Sequence, residues 1–435
     1  MKIEQTRVHD LRPYANNART HSRKQIRQIA KSIEKFGFCN PVLIDDQKQI
    51  IAGHGRVEAA KLLGIDAVPT CRLSHLNEAD KRAYVLADNR LAERAGWDKE
   101  VLAIELQGLI DLSVDVELTG FDMGEIDLIL EEAHEAKGAP TGPEDHIPAC
   151  SSAAVTQPGD LWLLGEHRLL CGDARDKLAY QSLLESAKAE FVFTDPPYNV
   201  PIHGNVCGLG RIRHRDFAMA CGEMSEAEFT AFLETVFKRL AENSIDGSIH
   251  QIFTDWRHMG EMLAAGRKIY GELKNLCVWN KSNAGMGSFY RSQHELVFVW
   301  KSGTAPHINN FELGQRGRNR TNVWSYPGLT GMRVGRLQEL AMHPTVKPVA
   351  LAGDSLKDCS GRGGLVLDPF CGSGTILIAA ERTGRKARAL EIDPIYVDVA
   401  VRRWQTYTGK AAVLAGSGES YEIIEEQRTA KPLAA

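Results

Sequence analysis

The chain has 435 residues, enough for two domains, and its apolar and charged contents are ordinary for a soluble globular protein. The formal net charge of -4 argues against a histone-like protein, but local basic patches suffice for binding nucleic acid. No apolar run approaches the length of a membrane span, and no signal peptide follows Met1. The nine cysteines include no CxxC pair, so unpaired thiols and the lack of an export signal predict a reducing cytoplasm. His203 and Cys207 are too few for a zinc site, so no metal is predicted.

The first segment, residues 1–133, predicts a small α+β domain. Ser22 is a helix cap before a run with apolar residues on one face, and Gly37 is the expected stop. The stretch PVLIDDQKQIIAGHGRVEAAKLLG then predicts two strands, a glycine-flanked bend and a short helix. Near the end of the segment, Asp122 and Glu125 have the spacing of a capping box.

The remainder of the chain predicts a second, larger domain. Residues 134–158 are rich in Pro, Ala and Ser without periodicity, which indicates an interdomain linker. Strand and helix patterns alternate over residues 159–415, which predicts an α/β sheet of largely parallel strands. Residues 302–341 are polar, irregular and rich in arginine, as an insertion would be, and residues 416–435 are expected to be a frayed tail.

The stretch VLDPFCGSGT predicts a strand that runs through a glycine turn into a helix. Gly372 and Gly374 allow the backbone to turn tightly and to approach a ligand closely. No lysine completes a P-loop, and Leu377 stands where the dinucleotide fingerprint requires a third glycine. Asp368 would repel a pyrophosphate but suits a cationic amino-acid tail, while an acid at the end of the next strand, Glu391, suits ribose hydroxyls. These features favour S-adenosylmethionine as the cofactor.

The stretch FVFTDPPYNV places a carboxylate, two prolines and a tyrosine at the end of a predicted strand. The exocyclic amino group of a base is a poor nucleophile, because its lone pair is delocalised into the ring. Asp195 would accept one N–H of that group, and a main-chain carbonyl fixed by Pro196 and Pro197 would accept the other. Tyr198 offers a flat face on which the base can stack.

Together, TDPPY and VLDPFCGSGT resemble the beta class of amino-group DNA methyltransferases, which act on adenine N6 or cytosine N4. The resemblance covers about residues 159–412 and implies an active site of Asp195, Pro196, Pro197 and Tyr198. It further implies a cofactor site that also takes in the stretches LLCGDARD and HPTVKP. That site comprises Asp173, His343, Thr345, Lys347, Asp368, Phe370, Gly372, Gly374, Thr375, Glu391 and Asp393.

The family resemblance implies a Rossmann-like methyltransferase fold with a mixed seven-stranded sheet. The target base would be flipped out of double-stranded DNA, and the methyl group would move by direct displacement without a metal. An Asp-Pro-Pro-Tyr motif is the usual form in adenine N6 enzymes, whereas Ser-Pro-Pro-Tyr is more usual in cytosine N4 enzymes. Adenine is therefore the predicted substrate. Relatives of this kind occur in restriction–modification systems and are commonly dimers, so a homodimer is a further expectation.

Two arginine clusters are predicted to contact DNA. Arg211, Arg213 and Arg215 alternate on a glycine-flanked loop after the catalytic motif. Arg316, Arg318 and Arg320 surround two asparagines in the inserted region, which we expect to recognise the target sequence.

The stretch AGHGRVEAAKLLG resembles the ParB/sulfiredoxin-like domain over about residues 3–110. In relatives this loop and helix start hold a nucleotide phosphate, which makes Gly53, His54, Gly55 and Arg56 a candidate nucleotide or anion site. The alternative is a module that only docks on DNA or on a partner.

Two alternatives to an adenine N6 DNA methyltransferase stay open. One keeps the chemistry but changes the substrate to cytosine N4 or RNA. The other is a DNA-binding, partition-like regulator with an inactive methyltransferase domain. The intact set of Asp195, Gly372, Gly374 and Glu391 counts against the second alternative.

Overall fold

The chain divides into two compact units, residues 1–138 and residues 139–435. A computed structural model describes residues 2–429 apart from residues 113, 137–142, 152, 201–221, 282–288, 312–319 and 328–345, and apart from the side chains of residues 134–136. Among the described residues, no helix is both long enough and apolar enough to cross a bilayer.

The first unit is a small four-stranded sheet with helices packed on it. Its strands have the order β1-β4-β2-β3 and are β1 (Ile3–Arg7), β2 (Val42–Ile44), β3 (Ile50–Ala52) and β4 (Ala67–Arg72). Its described helices are α1 (Arg23–Phe36), α2 (His54–Leu62), α3 (Glu78–Arg94), α4 (Lys99–Asp111) and α5 (Met123–Ala136). The sheet and α2 share one apolar core, and α4 and α5 enclose a second, smaller one.

The helix signals read from the sequence of this unit are present in the structure. The Ser22 hydroxyl accepts a hydrogen bond from the Gln25 N–H at 3.1 Å, and Gly37 ends α1 with a φ of 78°. The Glu125 carboxylate accepts from the Asp122 N–H at 2.8 Å, as one arm of a capping box does. These local contacts fix where α1 and α5 begin.

As far as the structure describes it, the second unit is built on a ten-stranded sheet with the order β11-β9-β10-β8-β7-β12-β13-β6-β5-β14. Its strands are β5 (Leu161–Leu164), β6 (His167–Cys171), β7 (Ala189–Thr194), β8 (Ser244–Thr254), β9 (Glu272–Asn280), β10 (His294–Lys301), β11 (Val323–Ser325), β12 (Leu365–Asp368), β13 (Lys386–Glu391) and β14 (Val413–Leu414). Its described helices are α6 (Lys177–Leu184), α7 (Glu226–Glu242), α8 (Met259–Ile269), α9 (Val349–Cys359), α10 (Thr375–Thr383), α11 (Pro394–Thr408) and α12 (Tyr421–Thr429).

The predicted mixed α/β class is confirmed, and the sheet is larger than the seven strands expected. Strands β8, β7, β12, β13 and β6 are parallel neighbours, whereas β10, β9, β5 and β14 join by antiparallel pairing. The extra strands lie towards the two edges. One is β11, which comes from the region predicted to be an insertion, and two more are the short β5 and β14.

Parallel pairing brings the ends of separate strands to one edge of the sheet. Val366 and Leu367 of β12 pair with Phe191 and Val192 of β7, so the two strands end side by side. Strand β13 lies beside β12, and β6 lies beside β13. Because β10 is antiparallel to β8, it begins where those strands end. We call this boundary, which lies at the carboxyl ends of the parallel strands, the catalytic edge.

Two segments differ from the sequence prediction. The described residues of 143–158, a range predicted as part of a linker, pack on the second unit: the Val155 N–H donates to Asp398 Oδ2 at 2.6 Å, and Ile147 is buried. Part of the predicted tail forms α12, where Tyr421 is buried and Arg428 pairs with Asp160. Low sequence periodicity concealed both segments, because a few anchoring contacts and not a repeating pattern hold them.

A close contact between α8 and β10 gives a stability prediction. A Cβ atom at Gly266 would lie 2.2 Å from the indole of buried Trp300, so Gly266→Ala should destabilise the protein by about 1–3 kcal/mol. Gly260, on the same helix, has nothing within 4 Å, so Gly260→Ala should stabilise it by up to about 1 kcal/mol. Urea unfolding of both variants measures the difference, and shifts of the same sign would contradict the packing argument.

Candidate active site

A cleft opens at the catalytic edge, where the ends of β7, β12 and β13 meet. It is lined from β7 by Asp195, Pro196, Pro197 and Tyr198, and from the loop after β12 by Asp368, Phe370, Gly372 and Thr375. The start of the β13–α11 connection contributes Glu391 and Asp393, and Lys347 comes from the segment before α9. The structure therefore brings together predicted residues that lie far apart in the sequence.

Asp195 is the first residue after β7 and is largely buried. One carboxylate oxygen accepts a hydrogen bond from the Tyr198 hydroxyl, and the other forms an ion pair with the Lys347 ammonium. The two prolines after Asp195 end the strand because they cannot donate to a sheet. Burial raises the pKa of the Asp195 carboxyl, against the opposing effect of Lys347.

A second carboxylate, Glu295, lies beside this pair. It is the second residue of β10, and its Oε2 lies 3.0 Å from Lys347 Nζ and 3.2 Å from the Tyr198 hydroxyl. Its Oε1 accepts from Lys281 Nζ at 2.5 Å. Burial alone would raise the pKa of Glu295, but the two ammonium groups outweigh burial and lower it to about 2.

Asp368 ends β12, and hydrogen bonds orient its buried carboxyl. The Thr194 hydroxyl donates to Asp368 Oδ1 at 2.8 Å, and the Phe370 N–H donates to the same oxygen at 3.0 Å. Burial raises the pKa of Asp368 to about 7, although these donors oppose the shift. Within the described parts of the chain Asp368 makes no ion pair, so the site can accept a cation from a ligand.

Glu391 ends β13 and resembles Asp368 in its surroundings. The Gly372 N–H donates to Glu391 Oε2 at 2.8 Å, and the Asp393 N–H donates to Oε1 at 2.9 Å. Burial raises the pKa of Glu391 to about 7. The carboxylate thus ties the glycine turn to the neighbouring strand while keeping lone pairs for a further donor.

The glycine turn between β12 and α10 depends on close packing. Gly374 has a φ of 84°, and a Cβ atom there would lie 2.9 Å from the Ala400 side chain of α11. Behind the turn, the buried Arg403 donates to the Ser373 carbonyl at 3.1 Å and to the Thr375 hydroxyl at 3.3 Å. Burial lowers the pKa of Arg403 to about 10. These contacts hold the turn from the side opposite the cleft.

Two of the predicted cofactor residues have other contacts than expected. The Lys347 ammonium lies on Asp195 and Glu295, the carboxylates beside the catalytic motif. Asp173 forms an ion pair with Arg175 at 2.6 Å, while its neighbours Gly172 and Ala174 line the cleft. Burial would raise the pKa of Asp173, but the contacts with Arg175 lower it.

Several predicted residues lie outside the described part of the chain. They are His343 and Thr345 of the cofactor set, and Arg211, Arg213, Arg215, Arg316 and Arg318 of the DNA set. Arg320 is described, and its placement differs from the expectation of a DNA contact. Its guanidinium forms ion pairs with Asp358 at 3.0 Å and with Asp354 at 3.4 Å, next to the ring of Trp324. Arg320 therefore holds β11 to α9.

The candidate nucleotide site of the first unit lies at the start of α2. Gly53 has a φ of 99°, and the Arg56 guanidinium folds back over it and donates to the Pro41 carbonyl at 3.2 Å. The His54 ring accepts from the Tyr14 N–H at 3.3 Å, and Gly55 is buried. Burial lowers the pKa of both His54 and Arg56. Nucleotide binding at this site stays a prediction.

Sequence reasoning missed Glu295, Lys281 and Arg403. A signal for Glu295 exists, since an acid at the start of the apolar run HELVFVWK is costly to bury without a partner. Arg403 similarly stands within an otherwise apolar helix pattern. The pattern could not show which side chains they meet. Among the described residues, no group of three or more His, Cys, Asp or Glu side chains is placed to hold a metal ion.

Comparison with protein families agrees with this geometry. Residues 189–402, which include both motifs, match the family of N6/N4 DNA methylases. Residues 1–90 match the ParB N-terminal domain, and residues 100–158 match the ParB-methyltransferase HTH domain. The chain carries an N6/N4 DNA methylase domain and a ParB N-terminal domain. Both resemblances read from the sequence are thereby confirmed, whereas the HTH domain was not predicted.

Individual proteins resemble parts of this methylase. The ParB-like nuclease domain-containing protein YnaK of Escherichia coli (strain K12) is 51% identical over 82 residues, which are 19% of this chain and 94% of YnaK. The type II methyltransferase M.ScaI of Streptomyces caespitosus is 39% identical over 87 residues, which are 20% of this chain and 29% of M.ScaI.

Solved structures also resemble the methylase. The M1.HpyAVI–SAM complex has a TM-score of 0.41 and 19% identity, and the match covers 54% of this chain and 97% of that one. The cytosine-N4-specific PvuII DNA methyltransferase has a TM-score of 0.41 and 15% identity, with 65% of this chain and 95% of that one covered.

The methylase family uses S-adenosylmethionine, so the predicted cofactor is confirmed. The residues present fit this group. Asp368 and Glu391 are buried carboxylates without a cation from the described residues, which suits a ligand that carries positive charge. The tight turn at Gly372 and Gly374 leaves room for close approach, and Phe370 lines the same wall.

The raised pKa values make cofactor affinity depend on pH. A cationic ligand binds the ionised carboxylates, and Asp368 and Glu391 lose their charge as the pH falls through about 7. We therefore expect calorimetric titration to show weaker binding of S-adenosylmethionine at pH 6 than at pH 8. Asp368→Asn should weaken binding at pH 8 by at least about tenfold and flatten the pH dependence.

Glu272→Gln is the control for this measurement, because Glu272 is exposed and stands at the start of β9. The other end of β9 pairs with the start of β10, at the catalytic edge. An Asp368→Asn protein with the affinity and pH dependence of the wild type would remove Asp368 from the cofactor site.

Proposed function

We propose that this DNA methylase is a site-specific enzyme that transfers a methyl group to the N6 amino group of adenine in double-stranded DNA. The supporting observation is the position of Asp195, in the same cleft as Asp368 and Glu391, which make no ion pair with any described residue. When bound there, S-adenosylmethionine supplies an electrophilic methyl group.

The residues after β7 suit the handling of an amino group. An Asp195 oxygen has a lone pair beyond the one used by Tyr198 or Lys347, and it can accept an N–H of the base. A main-chain carbonyl next to the two prolines would accept the second N–H. Both acceptors favour a pyramidal nitrogen with its lone pair directed at the methyl group, and the fixed geometry reduces the entropy cost of alignment.

Reaching this cleft requires the base to leave the helix stack. Extrusion costs a few kcal/mol, which stacking and hydrogen bonds in the pocket offset. The Tyr198 ring borders the cleft, and its hydroxyl lies within hydrogen-bond distance of Asp195 and Glu295, so the ring is held in position before a base arrives. A fixed aromatic face is a suitable surface for stacking a flipped base.

Adenine is proposed over cytosine because of the acid in the catalytic motif. The chain has Asp at position 195, where N4-cytosine enzymes more usually carry Ser. A carboxylate is the stronger acceptor of an amino hydrogen, because hydrogen bonds to a charged acceptor are about twice as strong as neutral ones. Methylation of the cytosine N4 amino group is the second candidate, since the same cleft could receive either base.

Sequence selection is proposed to use segments outside the cleft. Helices α4 and α5 lie in the stretch that matches an HTH domain, a motif that places a helix in the major groove. The region 302–341 and the segment that carries Arg211, Arg213 and Arg215 are proposed to contact DNA as well. We propose residues 1–133 as the ParB-like domain and residues 159–415 as the methyltransferase domain.

The first test is product identification. Purified protein is incubated with methyl-labelled S-adenosylmethionine and mixed-sequence duplex DNA, and the DNA is digested to nucleosides. We expect the label in N6-methyladenine. Asp195→Asn keeps the size of the side chain but removes its charge, so it should lower the rate by at least about 100-fold. Glu272→Gln, remote from the cleft, should retain the rate.

Each alternative product has a separate meaning. Label in N4-methylcytosine would replace adenine by cytosine and keep the mechanism. Label in RNA but not in DNA would contradict the proposed substrate. A wild-type protein that binds the cofactor and labels no nucleic acid would contradict the proposed activity.

A further inference from the structure

The proposed function gives Glu295 one task, a contact with the Tyr198 hydroxyl, yet its carboxylate has further contacts within the buried catalytic motif. The side chains of Lys347, Glu295 and Asp195 are only 4%, 10% and 18% exposed, respectively. Burying an acid at this depth is costly unless opposite charge and hydrogen bonds compensate it. The contacts of Glu295 therefore indicate what it does for its neighbours.

Glu295 and Asp195 share two partners. The Lys347 ammonium forms ion pairs with both carboxylates, and the Tyr198 hydroxyl lies within hydrogen-bond distance of both. Three aromatic rings surround the ammonium, with the Phe253 ring centre 5.0 Å away and the Trp279 ring centre 5.7 Å away. This packing keeps Lys347 between the two acids.

The two carboxylates nevertheless differ in their surroundings. Glu295 contacts two ammonium groups, Lys347 and Lys281, and stays ionised, with a pKa of about 2. Among the described residues, Lys347 is the single ammonium group that contacts Asp195, and both burial and the negative charge of Glu295 raise the pKa of Asp195. Adjacent acids whose surroundings separate their proton affinities commonly divide the roles of fixed charge and proton acceptor.

We infer that Glu295 is a positioning residue for methyl transfer. It holds Lys347 and Tyr198 against Asp195, and its fixed negative charge makes Asp195 the carboxylate that takes the proton from the amino group. This inference rests on the proposed function, because it assigns a task to Asp195 in that reaction. Glu295 itself touches neither base nor cofactor in this scheme.

The proton and electron balance is complete without another reactant. The lone pair of the amino nitrogen forms the new N–C bond, and the methyl–sulfur bond breaks with its electron pair left on sulfur. The N–H bond then breaks, its electron pair stays on nitrogen, and the proton passes to a carboxylate oxygen of Asp195. Asp195 later gives this proton to water, which restores the carboxylate for the next cycle.

The pH dependence of turnover can test the role of Glu295. The titratable groups that face Glu295 are Asp195, Tyr198, Lys281 and Lys347, and Asp368 lies beyond Asp195. Asp195 must be ionised to accept a proton, so kcat should rise with pH through the Asp195 pKa. Removing the Glu295 charge lowers that pKa and makes Asp195 a weaker base.

The experiment measures kcat against pH for Glu295→Gln and Glu295→Asp on the DNA target found by product mapping. Cofactor and DNA are kept saturating, so that the titration of the cofactor site does not enter. We expect the acidic limb of the pH profile, where kcat rises with pH, to move to lower pH in Glu295→Gln. The plateau value of kcat should fall by about 10- to 100-fold. Glu295→Asp keeps the charge and should restore most of the plateau and the position of the limb.

Two controls separate positioning from folding. Glu272→Gln makes the same change at an exposed site of the same sheet and should leave the profile unchanged. Calorimetry should give Glu295→Gln the cofactor affinity of the wild type within about twofold, since Glu295 does not line the cofactor cleft, and thermal unfolding should show that the variant is folded.

An acidic limb that does not move in Glu295→Gln would overturn the inference, and so would a Glu295→Asp protein as slow as Glu295→Gln. Both outcomes leave wild-type methylation intact, so they are distinct from a failure of the proposed function. That failure appears as a wild-type protein that methylates no DNA.

Discussion

Burial of acidic side chains at the catalytic edge is the constraint on which the rest of the site depends. Parallel pairing of β7, β12 and β13 brings Asp195, Asp368 and Glu391 to one boundary, and antiparallel β10 adds Glu295. Burying one charged group without compensation costs far more than a single contact can return. Each acid therefore needs a specific partner, and the choice of partner decides its chemistry.

The four acids are compensated in two different ways. Asp195 and Glu295 share the ammonium of Lys347, a cation from the chain itself. Asp368 and Glu391 have main-chain N–H donors and pKa values near 7, so their compensation is incomplete until a cationic ligand binds. In the proposed function the first pair serves the reacting base and the second pair serves the cofactor. One cleft thus holds two subsites with different electrostatics.

Rigidity at this edge comes from packing on both faces of the sheet. One apolar core includes α9, α10 and α11, and another includes α6, α7 and α8. The same packing fixes the glycine turn, because α11 supplies Ala400 against Gly374 and Arg403 against the carbonyl of Ser373. Preorganised acceptors act without reorganisation during reaction, which is why a dense scaffold serves a site built from small groups.

The sequence by itself determined the α/β class, the order of the two motifs, the cofactor and the cap at Ser22. Each of these depends on neighbouring residues or on a short motif, so local chemistry reveals it. Only the tertiary structure decided that Lys347 forms an ion pair with Asp195 and that Glu295 contacts the same ammonium group. It alone also decided that Arg320 links β11 to α9. It also decided that the described part of the sheet has ten strands and that the described residues of 143–158 pack on the second unit. Those facts depend on charges and anchors brought together from distant parts of the chain, and no periodicity records which buried acid meets which cation.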